Sequence, residues 1–245
     1  MRELLAAFLH LLFPVPCLAC SSPLDARGRA MICGACWTKV RPPREPFCPR
    51  CGWPFPSSPA VRLTPGYLCG PCQTRRIYFS SARAAALYEE DGVIRQAILA
   101  LKYGRRLLLG QHLGAFMAEA AYGRVEVASY DCLVPVPLHE KRERERGFNQ
   151  AFLLAQALSR RFGVPVERKA LVRARSTSPQ EGNWQAREEN VRGAFQVVRP
   201  GRVVGKRILL VDDVYTTGAT VNECAKALVK AGAGEVAVYT LARVL

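Results

Sequence analysis

Apolar residues are laid out along this chain in three successive ways, and each predicts a different kind of structure. Within residues 1–13, Leu4, Leu5, Phe8, Leu11 and Leu12 form the stripe of an amphipathic helix, while Glu3 and His10 interrupt the run. A docked helix is expected there, not an export signal or a membrane span. From residue 14 to about 81 no period persists, and prolines crowd residues 42–71. From Ala82 onward short apolar runs alternate with segments of helical period. Strands are expected at residues 84–88, 131–136, 166–171, 195–198, 208–211 and 236–241, and helices at 92–102, 107–122, 149–162 and 218–231. Residues 173–190 read as a polar loop. Buried strands separated by helices predict an α/β fold, a parallel sheet with helices on both faces and a ligand at the carboxyl ends of the strands. The change of pattern divides the chain into a small cysteine-rich module, residues 1–78, and a second domain, residues 79–245.

The first module is too poor in core-forming residues to fold without a staple, and its cysteines supply one. Eight of the ten cysteines fall in four C-x-x-C pairs: Cys17/Cys20, Cys33/Cys36, Cys48/Cys51 and Cys69/Cys72. Two such knuckles complete a tetrahedral four-thiolate zinc site, so four pairs imply two structural zinc ions, with sequence neighbours sharing each ion. A site closed by four thiolates has no open position for chemistry. With neither an export signal nor a spanning segment expected, the protein is placed in the cytoplasm, where thiols stay reduced. Cys132 and Cys224 stand alone inside apolar patterns and read as core residues.

One strand end in the second domain is unlike the others. Ile208, Leu209, Leu210 and Val211 run directly into Asp212 and Asp213, then Val214, Tyr215, Thr216, Thr217, Gly218, Ala219 and Thr220 lead into a helix. Amides at that helix start, with the hydroxyls of Thr216, Thr217 and Thr220, form a cradle for a phosphate, and Gly218 allows close approach of the backbone. The adjoining carboxylates can accept hydrogen bonds from vicinal hydroxyls. Phosphate and diol together describe a ribose 5-phosphate. Neither a P-loop nor a dinucleotide-binding glycine fingerprint is present.

These thirteen residues resemble the phosphoribosyl pyrophosphate (PRPP) motif of type I phosphoribosyltransferases. Together with the four cysteine pairs, Leu101-Lys102-Tyr103, Val134-Pro135-Val136-Pro137-Leu138, Arg142, Arg146-Gly147-Phe148-Asn149-Gln150, Arg173, Thr177, Gln180, Arg187 and Asn190, they make the whole chain similar to the ComF family of competence proteins, a double zinc ribbon followed by a phosphoribosyltransferase-like domain. The resemblance implies magnesium bound with PRPP near Asp212 and Asp213. It also implies pyrophosphate against the loop carrying Pro137, Arg142 and Arg146, with Lys102 reaching the same anion. Residues 173–190 become a flap that closes over the site and brings in Gln180 and Arg175.

Charge widens the choice of partner. Thirty-five Lys and Arg against twenty Asp and Glu give +15, and ten against three through residue 78 put +7 on the cysteine module. Such a balance suits nucleic acid, a polyphosphate or a membrane surface. Trp37, Phe47, Trp53, Phe55 and Tyr67 in the same module either stack bases or pack around the metals. Three functions follow as expectations: phosphoribosyl transfer to an unidentified acceptor, single-stranded DNA binding during DNA uptake, or PRPP sensing by an adaptor for a DNA-uptake helicase.

Overall fold

The computed structural model describes residues 15–24, 31–56, 66–104, 106–176 and 184–245. The amphipathic helix expected over residues 1–13 and the flap residues Thr177 and Gln180 lie outside them.

The cysteine module is built from knuckles and single helical turns. The turns Gly34–Trp37 (α1) and Gly70–Thr74 (α2) begin directly after Cys33 and Cys69. The other two knuckles are closed by the isolated antiparallel bridges Pro16↔Pro23 and Phe47↔Pro54. The rest of the chain runs Ala82–Leu87 (β1), Val93–Gly104 (α3), Leu107–Glu119 (α4), Cys132–Pro135 (β2), Glu140–Arg146 (α5), Gln150–Phe162 (α6), Leu171–Arg173 (β3), Trp184–Val191 (α7), Phe195–Val197 (β4), Arg207–Tyr215 (β5), Ala219–Lys230 (α8) and Glu235–Arg243 (β6).

Four strands pair in parallel in the order β1-β6-β5-β2. Alternation along the two central strands explains why both faces are covered. Leu209, Val211, Ala237, Tyr239 and Leu241 share a core with α3, α4 and α6, whereas Ile208, Leu210, Val236 and Val238 share the other with α8. A parallel sheet with helices on both faces is therefore the fold, as the alternating pattern predicts.

Three expectations need correction. Residues 166–171 are not a strand: Glu167, Arg168 and Lys169 interrupt the apolar run, leaving one bridge, Leu133↔Val166. Leu171–Arg173 instead pairs antiparallel with Phe195–Val197 in a separate two-stranded sheet. Within the supposed polar loop, residues 184–191 form α7, anchored by the buried Trp184 and Val191. Finally, the central strand does not end at Val211. It pairs with β6 as far as Tyr215↔Arg243, so both carboxylates sit on a strand.

The two modules are joined by specific bonds. Ala82 N–H donates to the Arg50 carbonyl at 2.6 Å. Asn222 on α8 accepts from Tyr78 N–H at 2.8 Å and donates to the Arg76 carbonyl at 3.0 Å. Arg243, at the end of β6, donates to the Cys51 carbonyl. The first ribbon rests elsewhere, with Trp37 stacked on Phe116 of α4 at 5.2 Å.

Candidate ribose-phosphate site and zinc centres

Strand β5 carries its apolar residues into the middle of the sheet and then delivers two carboxylates to its end. Asp212 and Asp213 are 9% and 5% exposed, which is unusual for charged groups and requires partners. Asp212 accepts the Asp213 amide at 2.9 Å. Asp213 meets the Lys102 ammonium, from the last turn of α3, at 2.5 Å. Burial pushes Asp212 well above the usual carboxylate range, and the neighbouring Asp213 charge adds to this. Burial acts on Asp213 in the same direction, but the Lys102 ammonium outweighs it and holds that carboxyl below its ordinary value. Lys102 itself is raised, since its attraction to Asp213 exceeds the cost of burying its charge.

These groups open into a cleft of about 200 Å³. Asp212, Asp213, Val214, Tyr215, Thr216, Gly218 and Thr220 line it from β5 and the following loop, facing Lys102 and Pro137. Thr217 turns away and lines a different cavity, and its hydroxyl accepts the Ala219 amide at 3.5 Å. Gly218 has a φ of 84° and caps α8 without a side-chain bond, leaving the first amides of that helix directed at the loop. A Cβ at Gly218 would overlap the Tyr215 hydroxyl. Gly218→Ala is accordingly expected to combine left-handed strain with a clash, costing more than about 2 kcal/mol and displacing the loop. Thermal melting beside ligand titration would register both effects.

Arg142 and Arg146 belong to α5, a short helix ended by Gly147 at φ 83°. Neither lines the cleft. Arg146 stands next to it, donating to Gln150 Oε1 at 2.7 Å and lying 5.8 Å from the Tyr103 ring. Gln150 and Arg173 do line the cleft and were not singled out as binding residues. Both occur in the segments that carry the family resemblance, which was the available signal.

The eight cysteines gather into two groups, Cys17, Cys20, Cys33 and Cys36, and Cys48, Cys51, Cys69 and Cys72. Within each, the sulfurs lie within 4.8 Å of one another, so neighbours in sequence share a site. Cys20 and Cys33 Sγ are 3.7 Å apart, and Cys51 and Cys69 Sγ 3.5 Å. Tetrahedral zinc with Zn–S bonds of about 2.3 Å separates its sulfurs by about 3.8 Å, so both groups fit the ion. Cys33 N–H points at Cys17 Sγ at 3.3 Å and Cys69 N–H at Cys48 Sγ at 3.5 Å, orienting the thiolates.

A parallel sheet with an acidic pair at its carboxyl end, behind two four-cysteine centres, defines a phosphoribosyltransferase-type protein with a double zinc ribbon. The double zinc ribbon domain matches residues 8–73 and the phosphoribosyl transferase domain residues 149–245. The chain belongs to the ComF family. It is 33% identical over 236 residues to the DNA utilization protein YhgH of Escherichia coli K12, covering 95% of this chain and 98% of that one. It is also 28% identical to the competence protein ComFC of Bacillus subtilis, over 93% and 94% of the two chains. Competence protein F of Haemophilus influenzae is 41% identical over 115 residues, 46% of this chain and 50% of that one.

Proposed function

We propose that this chain binds PRPP, or another phosphorylated ribose, in the cleft at the end of β5 and acts with single-stranded DNA in DNA uptake or utilisation. The observation that carries the first half is the buried Asp212–Asp213 pair, placed one turn of chain before a helix start and half neutralised by Lys102. Lys102 is matched by Asp213, whereas burial opposes ionisation of Asp212, and a divalent cation at the cleft mouth would favour the charged form of that second carboxyl. Magnesium prefers a few carboxylates together with water and phosphate oxygens, and this set of donors fits it. When bound, the ion would offset the charge of a pyrophosphate group.

In this reading Asp212 and Asp213 receive the ribose hydroxyls, the hydroxyls of Thr216 and Thr220 with the loop amides around Gly218 hold the 5-phosphate, and Lys102 turns from Asp213 to the pyrophosphate. Arg146 and Arg142 supply positive charge on the pyrophosphate side. DNA handling rests on the names of the relatives together with the basic, aromatic ribbon. The reducing interior of a cell fits two centres made of thiolates, and among the described residues no helix is long and apolar enough to cross a membrane.

The test is calorimetric titration of PRPP with magnesium into zinc-loaded protein. Saturable binding is expected in the wild type and at least about a hundredfold weaker binding in an Asp212→Ala, Asp213→Ala variant, since two charged hydrogen-bond partners are lost. Thr220→Val, which alters the cradle and leaves the buried charges in place, should weaken binding about tenfold. Absence of heat with folded wild-type protein would refute ligand binding. Magnesium-dependent loss of PRPP in the presence of a candidate acceptor would favour an enzyme over a sensor.

A further inference from the structure

A second cavity, larger than the acidic cleft, borders it. About 960 Å³ of space lies between the second zinc ribbon, α7, the back of the phosphate loop and the end of the chain. Five aromatic residues line it: Trp53, Phe55 and Tyr67 from the ribbon, Trp184 from α7 and Tyr215 from the end of β5. Phe55 and Tyr67 already pack together at 5.4 Å, while Trp53 and Tyr67 remain 37% and 44% exposed at the rim. No acidic side chain is among the lining residues, which include Arg75, Arg187 and Arg243.

The three arginines differ in what holds them. Arg243 is committed to the protein: it donates to the Cys51 carbonyl and lies over the Tyr215 ring at 4.5 Å. Arg75 covers the Trp184 ring at 4.3 Å. The Nε of Arg187 is buried with no hydrogen-bond partner among the described residues. A buried donor without an acceptor is costly, and a ligand oxygen would relieve it. Aromatic faces beside arginines recognise a flat ring joined to an anion, which is the chemistry of a nucleotide.

We infer that this cavity is a base-stacking site for unpaired nucleotides of a single-stranded nucleic acid. Its volume is several times that of the acidic cleft, and its aromatic rim is open, so a strand can enter and leave. A free nucleotide held for chemistry would be more enclosed. The cavity borders the acidic cleft at Tyr215 and Thr216 but is lined by neither Asp212, Asp213 nor Lys102, so it is a neighbouring and separate site. The inference rests on the single-strand half of the proposed function and adds the residues that would carry it.

The experiment measures binding of labelled oligo-dT to full-length, zinc-loaded protein across a salt series. Trp53→Ala is expected to weaken binding roughly 5- to 150-fold at every salt concentration, with the slope of log affinity against log salt unchanged, because stacking releases no counterions. Trp53→Phe, which keeps a ring, should restore most of the affinity. Arg187→Gln should instead reduce the salt slope by about one phosphate contact. Zinc content and PRPP titration control for folding, and neither should change. If wild-type protein binds no single strand, the single-strand reading itself fails. If it binds and none of these variants differs from it, this cavity is the wrong place and the broader reading survives. If a mononucleotide binds as tightly as the strand and depends on Trp53, the assignment to a strand is overturned.

Discussion

Cys51→Ser is expected to lower the zinc content from two ions per chain to one and to remove cooperative folding from the α/β domain as well as from the ribbon. The ribbon part follows from the magnitude of the interaction. A four-thiolate zinc site in a small module contributes on the order of 10 kcal/mol of folding free energy, comparable with the whole stability of a typical domain, about 5–15 kcal/mol. The spread into the second domain follows from where Cys51 sits. It is 4% exposed, its carbonyl accepts from the buried Arg243 guanidinium, and Arg243 in turn lies over the Tyr215 ring at the end of β5. One residue earlier, the Arg50 carbonyl holds the first residue of β1. Loss of the metal therefore leaves a buried arginine without its acceptor at the centre of the sheet's carboxyl end. Cys20→Ser is the contrasting variant. Cys20 is exposed, and the first ribbon meets the domain through apolar packing, with Trp37 on Phe116 and Cys17, Leu24, Ile32 and Cys36 against the core, in place of a buried charged group like Arg243. It should also lose one zinc yet keep a cooperative melt and PRPP binding. Metal analysis with circular dichroism melting separates the two, and equal behaviour would show that the second ribbon is not a structural part of the ligand site.

Much of this arrangement was legible in the sequence because it depends on local spacing. The four C-x-x-C pairs give their metal sites through short loops, and the apolar run ending in Asp212 and Asp213 marks a strand end whatever its neighbours. The parts that were not legible depend on tertiary pairing. β5 continues through the carboxylates because β6 offers a partner as far as Arg243, and no period in residues 212–215 announces it. Leu171–Arg173 leaves the main sheet because Phe195–Val197 pairs with it across more than twenty residues of intervening chain. Gln150 enters the cleft from the start of α6, whose position is fixed by packing against α4. The aromatic cavity was the least readable feature, since Trp53, Tyr67 and Trp184 come from segments brought together only by the docking of ribbon and domain.

Asp212→Asn and Asp213→Asn, chemically identical changes at adjacent residues, are expected to shift stability in opposite directions while both abolish ligand binding. Asp213 is held low by Lys102, so its contribution is present above the unfolded carboxylate value of about 4 and is lost as pH falls through its lower folded value. Asn at this position strands a mostly buried ammonium and should cost about 3 kcal/mol, less what Asp212 recovers by turning towards it. In a domain of this size that lowers Tm by roughly 6–12 °C at neutral pH. Asp212 is the reverse case. Its folded value is raised, so folding is favoured while the carboxyl is protonated, and stability declines as pH rises from about 4 through that raised value. Asn keeps the acceptor for the Asp213 amide and removes the buried ionisable group, so Asp212→Asn should gain about 1 kcal/mol at neutral pH and flatten the decline. Magnesium with PRPP should recover the same energy in the wild type by supplying countercharge, and should have no such effect on either variant. Melting each protein from pH 4 to 8, with and without ligand, tests the pair. Equal destabilisation by both substitutions would mean that Asp212 is a structural residue, whereas opposite signs would mark it as a charge kept at a cost for binding.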